Sequence, residues 1–180
     1  MSSNSWNQTL VTAQVDGTAL VNTTTATSLL PTAAKFVLPS NLFQIGTKLA
    51  LRASGRISSA GSSPGTFTWD VRFGSTVVFN GGASGILAVS GSNLTWDLDV
   101  TLTCRSIGST TTATVIGTGK VLSAIFAAAT PVLLLPASSP AIGTGFDSTA
   151  SQTVDLFGTW SVANASNTIA VHQYELTLLN

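Results

Sequence analysis

The fold of this chain is decided by Thr47–Phe79, whose sequence is TKLALRASGRISSAGSSPGTFTWDVRFGSTVVF. Apolar or small residues alternate with polar or charged residues along Thr47–Ser58 and again along Thr66–Phe73. A side-chain period of two is typical of β-strands with one dry face and one wet face. Gly74 and Ser75 follow, and glycine at the first of two turn positions suits a type II′ hairpin. We therefore predict an antiparallel meander with its large apolar side chains on a single face.

Alternation and turn residues predict further strands outside this stretch. These strands are Lys35–Leu38, Leu94–Arg105, Thr112–Phe126, Val132–Leu135, Thr153–Val162 and Thr168–Leu179. In the last strand the inward-facing positions change from odd to even numbers near His172 and Gln173, which predicts a β-bulge there. Gly117 and Gly119 predict a second bulge or a bend in Thr112–Phe126. Asp16-Gly17 predicts a hairpin near the N-terminus.

The predicted elements define the fold class. No segment shows sustained helical spacing of apolar residues, and about ten short strands are separated by Gly, Pro, Ser and Asn turns. We expect an all-β chain with a single antiparallel β-sandwich, jelly-roll-like in topology. An N-terminal arm or hairpin is predicted over residues 1–30, followed by the sandwich domain over residues 31–180.

The composition restricts the kinds of partner. Charged residues make up 8% of the 180 residues, against about 25% in ordinary soluble domains. Ser and Thr together supply 50 residues, and the seven basic and seven acidic residues cancel. Nucleic-acid binding needs a basic stripe, which is missing, so no nucleic-acid partner is expected. Weak repulsion between neutral copies suits a chain that works inside an assembly.

Neither a leader nor a membrane anchor is predicted. Residues 1–9 are polar and uncharged, without the basic and apolar regions of a signal peptide. The most apolar stretch, Ala124–Ala137, is interrupted by Thr130, Pro131 and Pro136, so it is too short to span a bilayer. We expect no membrane partner.

Candidate catalytic residues are few. His172 is the only histidine, and the chain has no G-x-S-x-G motif, so we interpret His172 as a surface or bulge histidine. Asp97 and Asp99 lie about 7 Å apart on one strand face, a spacing that overlaps that of inverting glycosidases. Cross-strand pairing with arginine is the favoured alternative. Calcium is a third possibility, although it requires six to eight oxygen ligands.

No cofactor is expected from the remaining residues. Cys104 is the only cysteine, which excludes an internal disulfide and predicts a buried, unreactive thiol without a metal site. Trp69, Trp96 and Trp160 share the parity of core residues, so we assign them to the core rather than to a sugar site.

Two apolar patches are candidate subunit interfaces. One is Trp6 with Leu10 in the N-terminal arm, and the other lies beside prolines in Ala124–Leu135. The residues of the second patch are Ile125, Phe126, Leu133, Leu134 and Leu135. Contiguous exposed apolar area marks interfaces, although either patch also suits a cover for the open end of the sandwich.

Five short segments resemble a family of virion structural proteins encoded by tailed bacteriophages and related viral sequences. They are LPSNLFQIGTKL at Leu38–Leu49, RASGRI at Arg52–Ile57, LTCR at Leu102–Arg105, DLFGTW at Asp155–Trp160 and HQY at His172–Tyr174. The resemblance covers most of the chain from Leu30 onward and consists of packing and turn motifs.

The resemblance implies a non-enzymatic virion component, assembled in the host cytoplasm. The favoured role is a head decoration (cement) protein, a homotrimer that contacts the major capsid protein or other virion proteins and reinforces the shell. The alternative is a tail-fibre or head-fibre domain that binds host glycans. A glycan hydrolase that uses Asp97 and Asp99 ranks last.

Overall fold

The computed structural model describes residues 7–126 and 131–179, and their regular structure is almost entirely β. The strands are β1 Asn7–Thr12, β2 Leu20–Val21, β3 Thr27–Ser28, β4 Phe36–Leu38, β5 Lys48–Ser58, β6 Phe67–Phe73, β7 Thr76–Ala83, β8 Leu94–Ser106, β9 Thr114–Ser123, β10 Val132–Leu135, β11 Gln152–Trp160 and β12 Thr168–Leu179. Within these residues the helical structure is a single 3-10 turn, Thr32–Ala34. No helix in this part of the chain has the length and apolarity to cross a membrane.

The strands form two antiparallel sheets that pack as a sandwich, which confirms the predicted fold class. The large sheet has the order β1-β12-β5-β8-β9-β10, with β2 also on β12. The small sheet has the order β3-β11-β6-β7, with β4 also on β11. The strand orders are those of a jelly roll. The four strands concerned are β1-β12-β5-β8 in the large sheet and β3-β11-β6-β7 in the small sheet. Strands β9 and β10 are an addition that widens the large sheet.

The inner faces of both sheets form one core. The residues of β5 and β8 predicted to point inward are buried, among them Leu51, Leu98 and Cys104. The three tryptophans assigned to the core are also buried there. The ring of Phe67 meets those of Trp69 and Trp160 edge-on, with centroids 4.6 and 4.7 Å away. Such aromatic pairs add stability beyond the burial of their area.

Strands β5 and β6 lie in different sheets, so the predicted meander is wrong at this step. β5 pairs with β12 and β8, whereas β6 pairs with β11 and β7. The crossover is anchored by the buried side chain of Asn167, which accepts from the Ala60 N–H at 2.8 Å and donates to the Pro64 carbonyl at 2.9 Å. The β6–β7 hairpin is confirmed, with Gly74 at φ 59°.

The predicted hairpin at Asp16-Gly17 is also wrong. β1 and β2 do not pair with each other, because each pairs with a different part of β12. The Gly17 N–H donates to the Val171 carbonyl at 2.8 Å, and a side chain at Gly17 would collide with the backbone of Leu29. Residues 7–28 thus add strands to both sheets, while the division of the chain at residue 30 stays a prediction.

One of the two predicted bulges is present. The register of β12 against β5 shifts between Val171 and Gln173, which confirms the bulge at His172. The β8–β9 ladder passes through Gly117 and Gly119 without a shift, which excludes the bulge and leaves the alternative of a bend as a prediction. The absent side chain at Gly117 instead leaves room for the ring of Phe79.

Tyr174 is a buried polar residue in β12. None of the described residues hydrogen-bonds to its hydroxyl group. Burial raises the pKa of Tyr174 well above its usual value of 10, because the core disfavours the phenolate. Above about pH 10 the unfolded chain therefore releases a proton that the folded chain retains, and folding stability falls as the pH rises.

We expect Tyr174→Phe to remove this alkaline loss of stability and to leave stability at pH 7 equal or higher, since an unsatisfied hydroxyl is eliminated. The measurement is urea unfolding of both chains between pH 7 and 11. Because Tyr174 is the only tyrosine, phenolate absorbance reports its ionisation directly. Parallel pH profiles for the two chains would contradict the assignment.

Candidate functional site

The single histidine lies where the sequence predicts it, at the bulge of β12. His172 is partly exposed, and its Nδ1 lies 3.0 Å from Oδ2 of Asp16. No described serine or threonine hydroxyl hydrogen-bonds to His172. The residue therefore joins the N-terminal segment to β12, and a nucleophile–base pair is not formed among the described residues.

The two candidate carboxylates lie on the outer face of the large sheet. Asp97 is opposite Ser54, and Asp99 is opposite Arg52, whose Nε lies 3.9 Å from Oδ2 of Asp99. The predicted cross-strand pairing with arginine is thus confirmed for Asp99. Asp97 is exposed and Asp99 is half-buried.

The described residues contain no group of three or more His, Cys, Asp or Glu side chains placed to hold a metal ion. Cys104 is a buried free thiol, as predicted. Burial raises the pKa of the Cys104 thiol, which keeps it in its unreactive neutral form.

A shallow cleft of about 420 Å³ lies on the outer face of the large sheet, beside the bulge of β12. The charged and amide groups that line it are Arg52, Asp97, Gln173 and Glu175. These groups are donors and acceptors for polar ligands.

The candidate interface residues differ widely in exposure. Trp6 lies outside the described residues. Ile125 and Leu135 are buried in the core of the chain, so their side chains contribute no surface. Leu10, Phe126 and Leu133 are half-buried and pack against that core. Leu134 is 71% exposed and remains the candidate with a free apolar surface.

Sequence reasoning missed an ionic cluster on the outer face of the small sheet. Lys35 Nζ lies 2.8 Å from Oδ2 of Asp155, and Arg72 Nε lies 2.7 Å from Oδ1 of Asp70. Only 7% of each aspartate side chain is exposed. The hydrogen bond to Asp70 raises the pKa of Arg72, whose guanidinium also lies 4.0 Å above the Phe157 ring. Both carboxylates find their partners within this cluster, and we expect it to stabilise the fold.

A second ionic feature appears only once the strand register is known. Glu175, Arg52, Asp99 and Lys120 are successive cross-strand partners on β12, β5, β8 and β9. We call this line of alternating acids and bases on the outer face of the large sheet the charged row. Alternation along the single strands predicted the outward direction of Arg52 and Asp99, but it did not reveal the alignment of the four side chains.

Comparisons with known proteins do not assign a family. No protein-family model matches the chain, and no curated protein matches it significantly. Among solved structures, an endo-1,3-beta-glucanase from Streptomyces sioyaensis is 8% identical with a TM-score of 0.29, over 80% of this chain and 68% of that chain. Winged bean acidic lectin complexed with methyl-alpha-D-galactose is 8% identical with a TM-score of 0.31, over 98% of this chain and 100% of that chain. Similarity this low carries no functional information.

We expect Arg72→Met to destabilise the fold by about 3 kcal/mol, because it leaves the buried carboxylate of Asp70 without its partner. Arg56→Met is the matched control, since Arg56 is an exposed arginine on β5 and its loss should cost less than about 1 kcal/mol. Urea unfolding at pH 7 measures both. Equal unfolding midpoints for the two variants would show that the cluster is not stabilising.

Proposed function

We propose that this chain is a structural protein of a virion, in the role of a decoration (cement) protein on the head of a tailed phage. In this proposal it has no catalytic activity. It assembles as a homotrimer in the host cytoplasm and binds the major capsid protein or another virion protein. Rigid sheets that bridge neighbouring shell subunits would oppose the internal pressure of packaged DNA.

The observation that carries the proposal is the edge strand β10. Among the described residues β10 pairs with β9 alone, which leaves one side of Val132–Leu135 open. Natural proteins protect such edges with charge, proline or a covering segment. Pro131 and Pro136 flank this edge, but the four residues of β10 itself are all apolar. An open, uncharged edge is a surface to which another chain can add a strand.

The apolar surface beside this edge supports the same role. Leu122 on β9 is opposite Val132 on β10, and both are exposed on the outer face next to Leu134. Grouped apolar side chains at an open edge are typical of protein–protein contacts. The surface with low charge adds little electrostatic repulsion between subunits.

A receptor-binding fibre domain is the second candidate, and the cleft on the large sheet favours it. The acids, amide and guanidinium that line the cleft suit the hydroxyl groups of a sugar. Sugar sites also use exposed aromatic rings, and the aromatic residue of the loop at residues 136–151, Phe146, is buried against Phe73. The support for a receptor-binding domain therefore comes from the cleft alone.

The location and copy number of the protein in purified particles separate the two roles. If the protein decorates the head, its band in a protein gel of purified particles should be as intense as those of the major shell proteins. Immuno-electron microscopy should then locate the protein on the head. A few copies restricted to a tail or head fibre would favour receptor binding. A protein missing from the particles would refute both.

We expect Leu134→Ser to reduce the number of copies in the assembled protein without unfolding the chain, because it removes the most exposed apolar contact beside β10. Val37→Ser is the matched control, since Val37 is 55% exposed and lies on β4 in the small sheet. Native mass and the unfolding midpoint are measured for both. An unchanged mass for Leu134→Ser would show that β10 is not an interface.

A further inference from the structure

The charge of this chain is concentrated on one surface. Eight of its fourteen Asp, Glu, Lys and Arg residues lie on the outer face of the large sheet, and these are Lys48, Arg52, Arg56, Asp97, Asp99, Arg105, Lys120 and Glu175. Four others form the saturated cluster on the small sheet. Because the chain has so few charges, their concentration indicates that the outer face of the large sheet has a functional role.

The charges of this face are paired loosely. Within the charged row the ion pair within 4 Å is Arg52–Asp99 at 3.9 Å, and 70% of the Arg52 side chain is exposed. Glu175 accepts hydrogen bonds from the hydroxyls of Thr9 and Thr177, both at 3.1 Å. The ion pairs of the small sheet, by contrast, are 2.7 and 2.8 Å long. The charged row therefore keeps its capacity for further partners.

We propose that the outer face of the large sheet binds a second copy of this chain, face to face, about a two-fold axis parallel to the strands and midway between β5 and β8. The charged row reads acid, base, acid, base across the sheet. Rotation about this axis reverses the row, so that Glu175 of each copy faces Lys120 of the other and Arg52 faces Asp99. Every charge of the row then meets its opposite.

Neighbouring rows are compatible with the same rotation. The register places Leu179 opposite Ile116 of the other copy, which joins two apolar side chains. Arg56 faces Thr95, and Asp97 faces Ser54, so these charges meet hydroxyl groups, while Gln173 faces Leu122. A two-fold axis perpendicular to the strands would instead place each member of the charged row against itself. The sequence thus selects one of the two face-to-face arrangements.

The shape of the face permits this contact. Neighbouring strands lie about 4.8 Å apart, so the outer members of the row are about 7 Å from the axis. Packed sheets are rotated by about 30°, which displaces these outer members by about 4 Å, a distance within the reach of Lys and Glu side chains. Depressions of about 420 and 480 Å³ flank Arg52 and Glu175 and leave space for the side chains of the other copy.

Complementation between two charge-reversal variants tests the proposal. The two-fold axis creates two equivalent contacts between residue 52 of one copy and residue 99 of the other. In Arg52→Glu both contacts bring two acids together, and in Asp99→Arg both bring two bases together. Each variant should therefore associate at least about tenfold more weakly than the wild type. An equimolar mixture restores opposite charges at both contacts of a mixed pair. Association should therefore return in the mixture, which pairing within a single copy cannot explain.

The experiment is sedimentation of the full chain over a range of concentrations. The wild type should contain an even number of copies, which is six if two of the proposed trimers pair through this face. Each variant should contain half that number, and the pairing should weaken as salt is added. Arg56→Glu applies the same change in charge to another residue of this face. Because residue 56 faces the hydroxyl of Thr95, its loss of association should be smaller than that of Arg52→Glu, and mixing it with Asp99→Arg should not restore association. Unfolding midpoints verify that every variant is folded.

Three results would overturn the proposal: a wild type with an odd number of copies, variants that associate normally, or a mixture that fails to recover. The charge variants separate this contact from the virion role, because Leu134 lies on the same outer face, opposite Lys120. A trimer lost in Leu134→Ser but unaffected by the charge variants would support the proposed function and exclude the two-fold contact.

Discussion

The alternation of side chains in β5 and β8 is the constraint on which the rest of the structure depends. These adjacent strands lie at the centre of the large sheet, with Leu51 and Leu98 in the core and Arg52 and Asp99 outside. A slip of one residue would exchange the two faces and bury the charges, so the register is strongly specified. The same alternation therefore builds the dry core and places the charges of the outer face in line.

Alternation predicts the position and facing of a strand, but it does not predict the neighbour of that strand. Most strands, the inward residues and the bulge at His172 were predictable for this reason. The pairing of β5 with β12, more than a hundred residues later, was not, because it depends on a crossover anchored by Asn167. Asp16-Gly17 carries a strong local hairpin signal, yet the flanking segments gain more by extending the existing edge of β12.

The same distinction explains how much of the candidate site could be predicted. Composition and parity identified Asp99 as a partner of arginine and Cys104 as a core residue. They did not separate Leu134 from Leu135, because the sequence of β10 is apolar on both faces and exposure there depends on which face meets the core. The charged row and the ionic cluster of the small sheet both arise from cross-strand register, which becomes visible only when the sheets are assembled.

The two faces of the large sheet thus serve different contacts, the inner one with the small sheet and the outer one, as proposed, with a sister copy. Zero-length carbodiimide cross-linking of a mixture of ¹⁵N-labelled and unlabelled chains tests this division most directly. Within one copy, Lys120 and Glu175 are three strand spacings apart, about 14 Å, too far for such a link. We predict a Lys120–Glu175 cross-link that joins labelled to unlabelled peptide. Its absence, in a sample in which cross-links form elsewhere, would contradict the two-fold contact.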